Sequence, residues 1–213
     1  MSYPIDIIMD TKEKILKRSA ELFPLMGIRN VTMDYLALDL NISKRTIYEL
    51  FEDKKDLVLQ CIGEMILNNN KLLLQIIEQT ENVIQALFLI IQQEEEQRRG
   101  FNPVFVEDVK KYLPELNISF FANKEKMKEF SVSFIMLEKG MREGVFREDL
   151  QIEVVDNFLY EMIGIIHNSE RLRLLDPGKG EILNNIFLPY FRGICTRKGL
   201  DLMDNYFEKL NKA

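Results

Sequence analysis

Residues 31–51 read VTMDYLALDLNISKRTIYELF, a pattern that predicts two short helices joined by a tight corner. Thr32 and Ser43 each precede a segment with helix-spaced apolar residues. Each has a side-chain oxygen that can accept a hydrogen bond from a free N–H group of a first helical turn. The side chains expected to face inward are Leu36, Ala37, Leu40, Ile47, Leu50 and Phe51. The spacing therefore predicts two capped helices that share one apolar side.

The outer face of the second helix is polar. It carries Lys44, Arg45, Thr46, Tyr48 and Glu49. A helix whose first turn bears Lys, Arg and Thr, and which a partner helix supports, has the shape and chemistry to enter the major groove of DNA. In a plainer interpretation these cations, with Lys54 and Lys55, are ordinary surface charges. That interpretation does not explain why basic groups lie beside two successive helix starts, at Ser43 and Asp53.

The same region resembles the N-terminal helix-turn-helix of the TetR family of bacterial transcriptional regulators. The matching positions are Leu22-Phe23, Gly27, Val31 to Asp34, Ser43 to Tyr48, Phe51, Lys54, Asp56 and Leu57. The resemblance implies that Thr32, Tyr48 and Lys54 hold phosphates, and that Lys44, Arg45 and Thr46 approach base edges. Ser43, which begins the second helix, completes the expected DNA-binding set.

Three positions depart from the family pattern. Asn41 occupies the corner where the family usually has Gly, and Asn tolerates a left-handed backbone, so the turn is expected to form. Leu50 stands where an aromatic residue or His is usual, which removes one potential phosphate contact. Pro24 deletes the hydrogen bond to the carbonyl of Ala20, so we expect a shortened first helix.

The charge of the chain limits how it could attract DNA. The net charge of −6 argues against a protein that coats nucleic acid or an anionic membrane by bulk attraction. Residues 1–60 hold nine Lys and Arg against ten Asp and Glu, and the remainder holds nineteen against twenty-four. Attraction to phosphate must therefore come from a local patch, for which Lys44, Arg45, Lys54 and Lys55 are the candidates.

Almost every segment has helical periodicity, so the predicted fold is all-α. A chain of 213 residues with 46% hydrophobic content can bury a sizeable core, and we favour two domains. Residues 1–53 are predicted to form a three-helix helix-turn-helix head. A long helix that begins after Asp53 joins it to residues 54–213, which by resemblance form a helical ligand-binding and dimerisation bundle.

Local signals also predict where other helices begin and end. The first helix is expected to start near Asp10, with Glu13 completing a capping box, and to end at Gly27. Asn102-Pro103 predicts the start of a short helix that ends before Pro114. A further helix is expected over Ser119 to Arg142.

The last third contains two apolar stripes at helical spacing. They comprise Val155, Phe158, Leu159, Met162, Ile163 and Ile166, and then Ile182, Ile186, Phe187, Tyr190 and Ile194. In the resembled family, two C-terminal helices pair with those of a second copy as a four-helix dimer interface. The resemblance thus implies an interface that includes Phe158, Leu159, Met162, Ile166, Ile182, Ile186 and Tyr190. The alternative is that both stripes face the core of one monomer.

Ten Met and fourteen Phe residues could line an adaptable apolar cavity, an inference that rests mostly on the resemblance. The expected lining residues are Met65, Phe88, Phe105, Phe130, Phe134 and Met162. The alternative is that these side chains are plain core. The single His and the absence of motif spacing around it argue against an enzyme or a metal site, and no cofactor is expected. Cys61 and Cys195 are expected to be buried reduced thiols.

These observations predict a sequence-specific DNA-binding regulator, with a homodimeric repressor released from its operator by a small apolar effector as the specific hypothesis. The N-terminus lacks a secretory signal and no apolar run is long enough to span a bilayer, so we expect a cytoplasmic protein. The alternative is a helical module that binds a small molecule or a partner protein and does not recognise DNA. The acidic body, the near-neutral head and Leu50 favour that alternative.

Overall fold

The computed structural model describes residues 4–121, 131–169, 171–172 and 179–210. Its helices are α1 (Pro4–Met26), α2 (Met33–Asp39), α3 (Lys44–Leu50), α4 (Lys54–Gln79), α5 (Val83–Arg99), α6 (Pro103–Phe121), α7 (Val132–Arg142), α8 (Ile152–Asn168), α9 (Lys179–Ile182), α10 (Leu188–Ile194) and α11 (Arg197–Leu210). A π-helical segment, Leu183–Phe187, connects α9 to α10. The predicted all-α fold is confirmed, because extended pairing in the described residues is limited to a single bridge between Phe146 and Cys195.

The chain divides into two compact units, each with its own apolar core. Unit 1 comprises Met1–Leu72 and Gln92–Met127, and unit 2 comprises Leu73–Ile91 and Lys128–Ala213. Helices α4 and α5 therefore contribute residues to both units. The boundary predicted at residue 53 marks the end of the helix-turn-helix motif, whereas the two units are defined by their compactness. The predicted boundary therefore stays a prediction.

The core of unit 1 supports the helix-turn-helix. Ile15 and Phe23 of α1, Leu36 of α2, Ile47 of α3 and Phe51 after α3 are all at most 1% exposed. Burial of a large apolar side chain contributes about 1.5–3 kcal/mol, so these residues together fix how α1, α2 and α3 pack. Leu40 and Leu50 are half-buried against the same core. The predicted inward face is thus confirmed.

The corner between α2 and α3 forms at Asn41. Its φ of 55° lies in the left-handed region, which Asn adopts at lower cost than most residues. The Asn41 N–H donates to the carbonyl of Leu38 at 3.1 Å, and the Ile42 N–H donates to that of Ala37 at 2.9 Å. Asn41 therefore makes the turn for which the resembled family usually has Gly, as predicted.

Helix α1 differs from its prediction in where it begins and in the effect of Pro24. It begins at Pro4 rather than near Asp10, because Pro is well tolerated in a first turn, where its missing N–H has no intrahelical partner to lose. The expected shortening at Pro24 is also wrong, since the helix continues to Met26. Gly27 ends it as predicted, with a φ of 83°. Pro24 lies in the last turn, where it disturbs little of the helix that follows.

Two expectations in the middle of the chain are also wrong. Helix α6 begins after Asn102, whose Oδ1 accepts from the Val104 N–H at 2.8 Å, but it runs past Pro114 to Phe121. A proline inside a helix removes one hydrogen bond, and the packing of earlier α6 residues such as Phe105 on the unit 1 core holds the helix in place. The continuous helix expected over Ser119 to Arg142 is wrong too. Ser131 has an extended backbone and its Oγ accepts from the Phe134 N–H, so α7 has its own start.

Unit 2 is held together by a buried aromatic and aliphatic cluster. Phe146 is fully buried, and Phe88 stacks on Tyr206 with ring centroids 4.6 Å apart. The buried Asp156 carboxylate of α8 accepts from the Ser131 and Ser133 hydroxyls, which ties α8 to the start of α7. None of the helices in the described part of the chain is both long and apolar enough to cross a membrane.

Candidate functional site

Two side-chain caps fix where α2 and α3 begin. The Thr32 Oγ1 accepts from the Tyr35 N–H at 3.0 Å, and the Ser43 Oγ accepts from the Thr46 N–H at 3.0 Å. The Ser43 and Thr46 hydroxyls are also 2.8 Å apart. Both caps match the prediction, and both residues are exposed, so the starts of the two helices open on solvent.

The outer face of α3 is polar and accessible. Lys44, Arg45 and Glu49 are exposed, Thr46 is half-buried, and 47% of Tyr48 is exposed. Ile47, on the opposite side, is fully buried. Because Ile47 anchors α3 in the core of unit 1, the polar face is held as a fixed surface, one that can be presented to a partner without rearrangement of the helix.

The cations at the start of α3 are paired with carboxylates. The Lys44 Nζ lies 2.8 Å from both carboxylate oxygens of Asp34 on α2, and this hydrogen bonding raises the pKa of Lys44 above its ordinary value. The Arg45 Nε donates to Glu49 Oε1 at 2.8 Å, within α3. All four side chains are largely exposed, so each pair is worth little in water and can be broken by a stronger anion.

Lys54, in the first turn of α4, has a more restricted environment than the resemblance implied. Its Nζ donates to the carbonyl of Arg29 at 3.2 Å. Burial lowers the pKa of Lys54 below its ordinary value, an effect that the charge of Asp108 partly offsets. Asp53 caps the same helix, since its Oδ1 accepts from the Asp56 N–H at 2.8 Å, as predicted.

Arg29 itself is held by α6. The Asp108 carboxylate accepts from the Arg29 backbone N–H at 3.2 Å and from its Nε at 2.7 Å. Burial alone would raise the pKa of Asp108, but these bonds bring it below its ordinary value. The loop between α1 and α2 therefore has a fixed position relative to both α4 and α6 within unit 1.

Residues 15–61 match the family model described as bacterial regulatory proteins, tetR family. This range contains α2, α3, both caps and the start of α4. Residues 15–61 therefore carry a helix-turn-helix of the TetR type. The predicted resemblance is thereby confirmed over these residues, which are the helix-turn-helix part of the chain. Regulators of this family are in general transcription factors rather than enzymes.

Solved structures share the fold well beyond the matched residues. NemR from E. coli, in its reduced form, has 16% identity and a TM-score of 0.61, covering 88% of this chain and 97% of that one. A TetR-family transcriptional regulator from Agrobacterium tumefaciens has 14% identity and a TM-score of 0.59, with 89% and 100% covered. FadR from Bacillus subtilis, in complex with stearoyl-CoA, has 14% identity and a TM-score of 0.56, with 85% and 98% covered. At these identities the likeness concerns the fold. No curated protein sequence matches the chain.

The residues predicted for a dimer interface lie in unit 2 and differ in exposure. Leu159 and Met162 are buried in the unit 2 core, whereas 51% of Phe158 is exposed and its ring stacks on Tyr190 at 5.2 Å. Ile166, Ile182 and Ile186 are half-buried. Two exposed residues that the prediction did not include, Val154 and Ile165, share a side of α8 with Phe158. The interface stays a prediction.

The residues predicted to line one cavity divide between the two cores. Met65 and Phe105 pack in unit 1, while Phe88 and Met162 are buried in unit 2. Phe134 is half-buried in α7, and Phe130 lies outside the described residues. The lining set stays a prediction.

Sequence reasoning missed three acidic partners of the site. Glu49 was detectable, because it follows Arg45 by four residues and such pairs meet on a helix. Asp34 was not, since its contact with Lys44 depends on how α2 packs against α3. Asp108 contacts Arg29 across 79 residues of sequence, a separation at which a single sequence carries no pairing signal.

Proposed function

We propose that this TetR-type protein is a homodimeric repressor whose two heads enter successive major grooves of an approximately palindromic operator. Two-fold symmetry would set the half-sites about 34–36 Å apart in the simplest arrangement. The proposal depends mainly on one observation, the capped and core-anchored α3 with Lys44, Arg45, Thr46 and Tyr48 on its outer face.

The chemistry of that face suits a DNA backbone as well as base edges. Backbone N–H groups at the starts of α2 and α3 and the hydroxyls of Thr32, Ser43 and Tyr48 are donors of the kind that hold phosphates. Arg45 and Lys44 offer the cationic donors that recognise guanine. The Asp34 partner of Lys44 is exposed, so phosphate or a base edge can replace it at small cost.

Selection of bound fragments from a random duplex pool tests this function. The purified chain, tested without and with extracted metabolites, is expected to enrich an inverted repeat with half-sites one helical turn apart in at least one of the two conditions. Enrichment of no preferred duplex at low ionic strength in either condition would remove the regulator assignment. It would favour the alternative of a helical module that binds a small molecule or another protein.

Homodimerisation is proposed through α8 and α10. Support comes from the exposed apolar side of α8, formed by Val154, Phe158 and Ile165, and from the stacking of Phe158 on Tyr190. Apolar side chains grouped in this way on a soluble protein commonly belong to an interface. A second copy is the occupant that two-fold operator recognition requires.

We further propose that a small apolar effector releases the operator. FadR from Bacillus subtilis, which has the same fold, binds stearoyl-CoA, so this fold can accommodate an acyl ligand. If the effector bound the operator-free protein more tightly than the operator-bound protein by about 1–3 kcal/mol, operator occupancy would shift appreciably. Helix α4, whose residues belong to both units, is the element proposed to carry the effect.

A further inference from the structure

The two cations that begin α3 use their hydrogen-bond donors differently. The Lys44 ammonium lies 2.8 Å from both oxygens of Asp34, which ties it to α2. Arg45 donates only from Nε, to Glu49 Oε1 at 2.8 Å. Within the described part of the chain, the two terminal amino groups of Arg45 donate to no other residue. Most of its side chain is exposed, with 87% accessible.

The free edge of this guanidinium has the geometry that guanine requires. Guanine presents two acceptors, O6 and N7, to the major groove, and two parallel N–H donors of one arginine can bind both at once. Arg45 retains its two terminal amino groups for this purpose while Nε is engaged. Lys44 is less suited to this paired contact, because its ammonium lacks a planar fork and two carboxylate oxygens already surround it.

We infer that Glu49 is a positioning residue that holds Arg45 ready to read one guanine in each half-site. The inference rests on the proposed function, in which the outer face of α3 enters the major groove. Glu49 holds one end of a flexible side chain before DNA arrives, which reduces the rotamer freedom that binding would otherwise remove. Glu49 thereby increases discrimination between bases.

The Glu49 carboxylate increases discrimination between bases, but it lowers the affinity for DNA of any sequence. A negative charge on the DNA-facing side repels phosphates regardless of base sequence. Removal of Glu49 should therefore strengthen binding to all duplexes while weakening the preference for guanine. A residue with a merely structural role would not change affinity and base preference in opposite directions. The exposed pair adds little to folding stability, so its loss leaves the domain folded.

The test measures base preference in wild type and in the R45A, E49A and E49Q variants. Each protein is presented with the random duplex pool at one salt concentration, and each enriched operator is then titrated with every base at every half-site position. Wild type should prefer guanine at one position per half-site by roughly 5- to 150-fold, and R45A should lose that preference. E49A should reduce that preference about twofold at the same position, in keeping with the strength of an exposed i,i+4 pair, and bind all duplexes more tightly. E49Q retains an oxygen that accepts from Nε, so it should recover the preference.

D34N is the matched control, since it alters the carboxylate that pairs with Lys44 on the same face. It should leave the preference at the Arg45 position unchanged. If E49A has the same guanine preference as wild type on the enriched operator, the positioning role of Glu49 is overturned. The proposed function is then intact. A wild-type protein that enriches no duplex overturns the proposed function and this inference together.

Discussion

Arg45 carries the strongest prediction at the scale of single residues. Replacement of Arg45 by Ala should lower operator affinity by about 1–3 kcal/mol without changing the mass of the dimer. The measurement is a titration of labelled operator at fixed salt, with light scattering for the mass. Arg142→Ala is the matched control, because Arg142 also pairs with a glutamate four residues away but lies in unit 2. Unchanged operator binding by R45A would remove Arg45 from the contact surface.

The Ser43 cap predicts an effect on stability. Ser43→Ala removes the acceptor for the Thr46 N–H and should reduce the free energy of unfolding by about 0.5–2 kcal/mol, as loss of a helix cap usually does. Ser43→Asn, which keeps a capping oxygen, should be close to wild type. Urea denaturation followed by circular dichroism compares the two variants, and equal losses in both would show that the cap does not stabilise α3.

The two cysteines report on burial of the cores. Burial raises the pKa of the Cys61 thiol to about 12, helped by the charge of Glu64, and raises that of Cys195 to about 11, where Arg192 opposes the shift. Both are free and buried, as predicted. At pH 8 both should therefore react slowly with a thiol reagent in the folded protein and rapidly in denaturant, because the thiolate is the reactive form. Rapid modification of the folded protein would contradict this packing.

At the scale of single residues, the sequence predicts a role where the interaction joins residues that are close together in the chain. Thr32, Ser43 and Asp53 cap helices through residues three positions away, so their roles could be predicted. Asn41 could be predicted for a similar reason, because the turn depends on its own backbone. The contacts made by Asp34 and Asp108 depend on tertiary packing and could not.

At the scale of elements, prolines predicted helix boundaries less well than capping residues did. Helices α1 and α6 both continue past a proline, because neighbouring hydrogen bonds and packing on the core compensate for one lost donor. Ser131 lies within an apolar pattern that continues on both sides of it in the sequence, so periodicity does not reveal the cap with which α7 begins. A side-chain acceptor at the right position thus locates a helix start better than periodicity alone.

The exposed apolar side of α8 predicts that a charge placed there weakens dimerisation. Phe158→Glu should yield monomers, weaken dimerisation by about 2 kcal/mol or more, and lower operator affinity, since an aromatic anchor is replaced by a charge that must be desolvated. Light scattering and an operator titration give the two readouts. Leu72→Glu is the control, because Leu72 is also an exposed apolar residue but lies on α4 in unit 1. A dimer of normal mass in the Phe158 variant would show that the interface lies elsewhere.

At the scale of the whole molecule, the net charge of −6 and the ion pairs on α3 indicate that DNA binding depends on a small local surface. Operator affinity should fall as salt rises, with a logarithmic slope of about −0.9 for each phosphate contact. Thr32→Ala and Tyr48→Ala should weaken binding to all duplexes alike, because a phosphate contact carries no base information. A binding partner held on an apolar protein surface would give almost no such slope.

The central claim is that the outer face of α3 distinguishes base pairs, and a competition titration tests it most directly. The enriched operator and a duplex of the same composition in scrambled order compete for wild-type protein at one fixed salt concentration. We predict that the operator binds at least about 10³-fold more tightly, as specific sites generally do. Equal affinity for the two duplexes would contradict the claim.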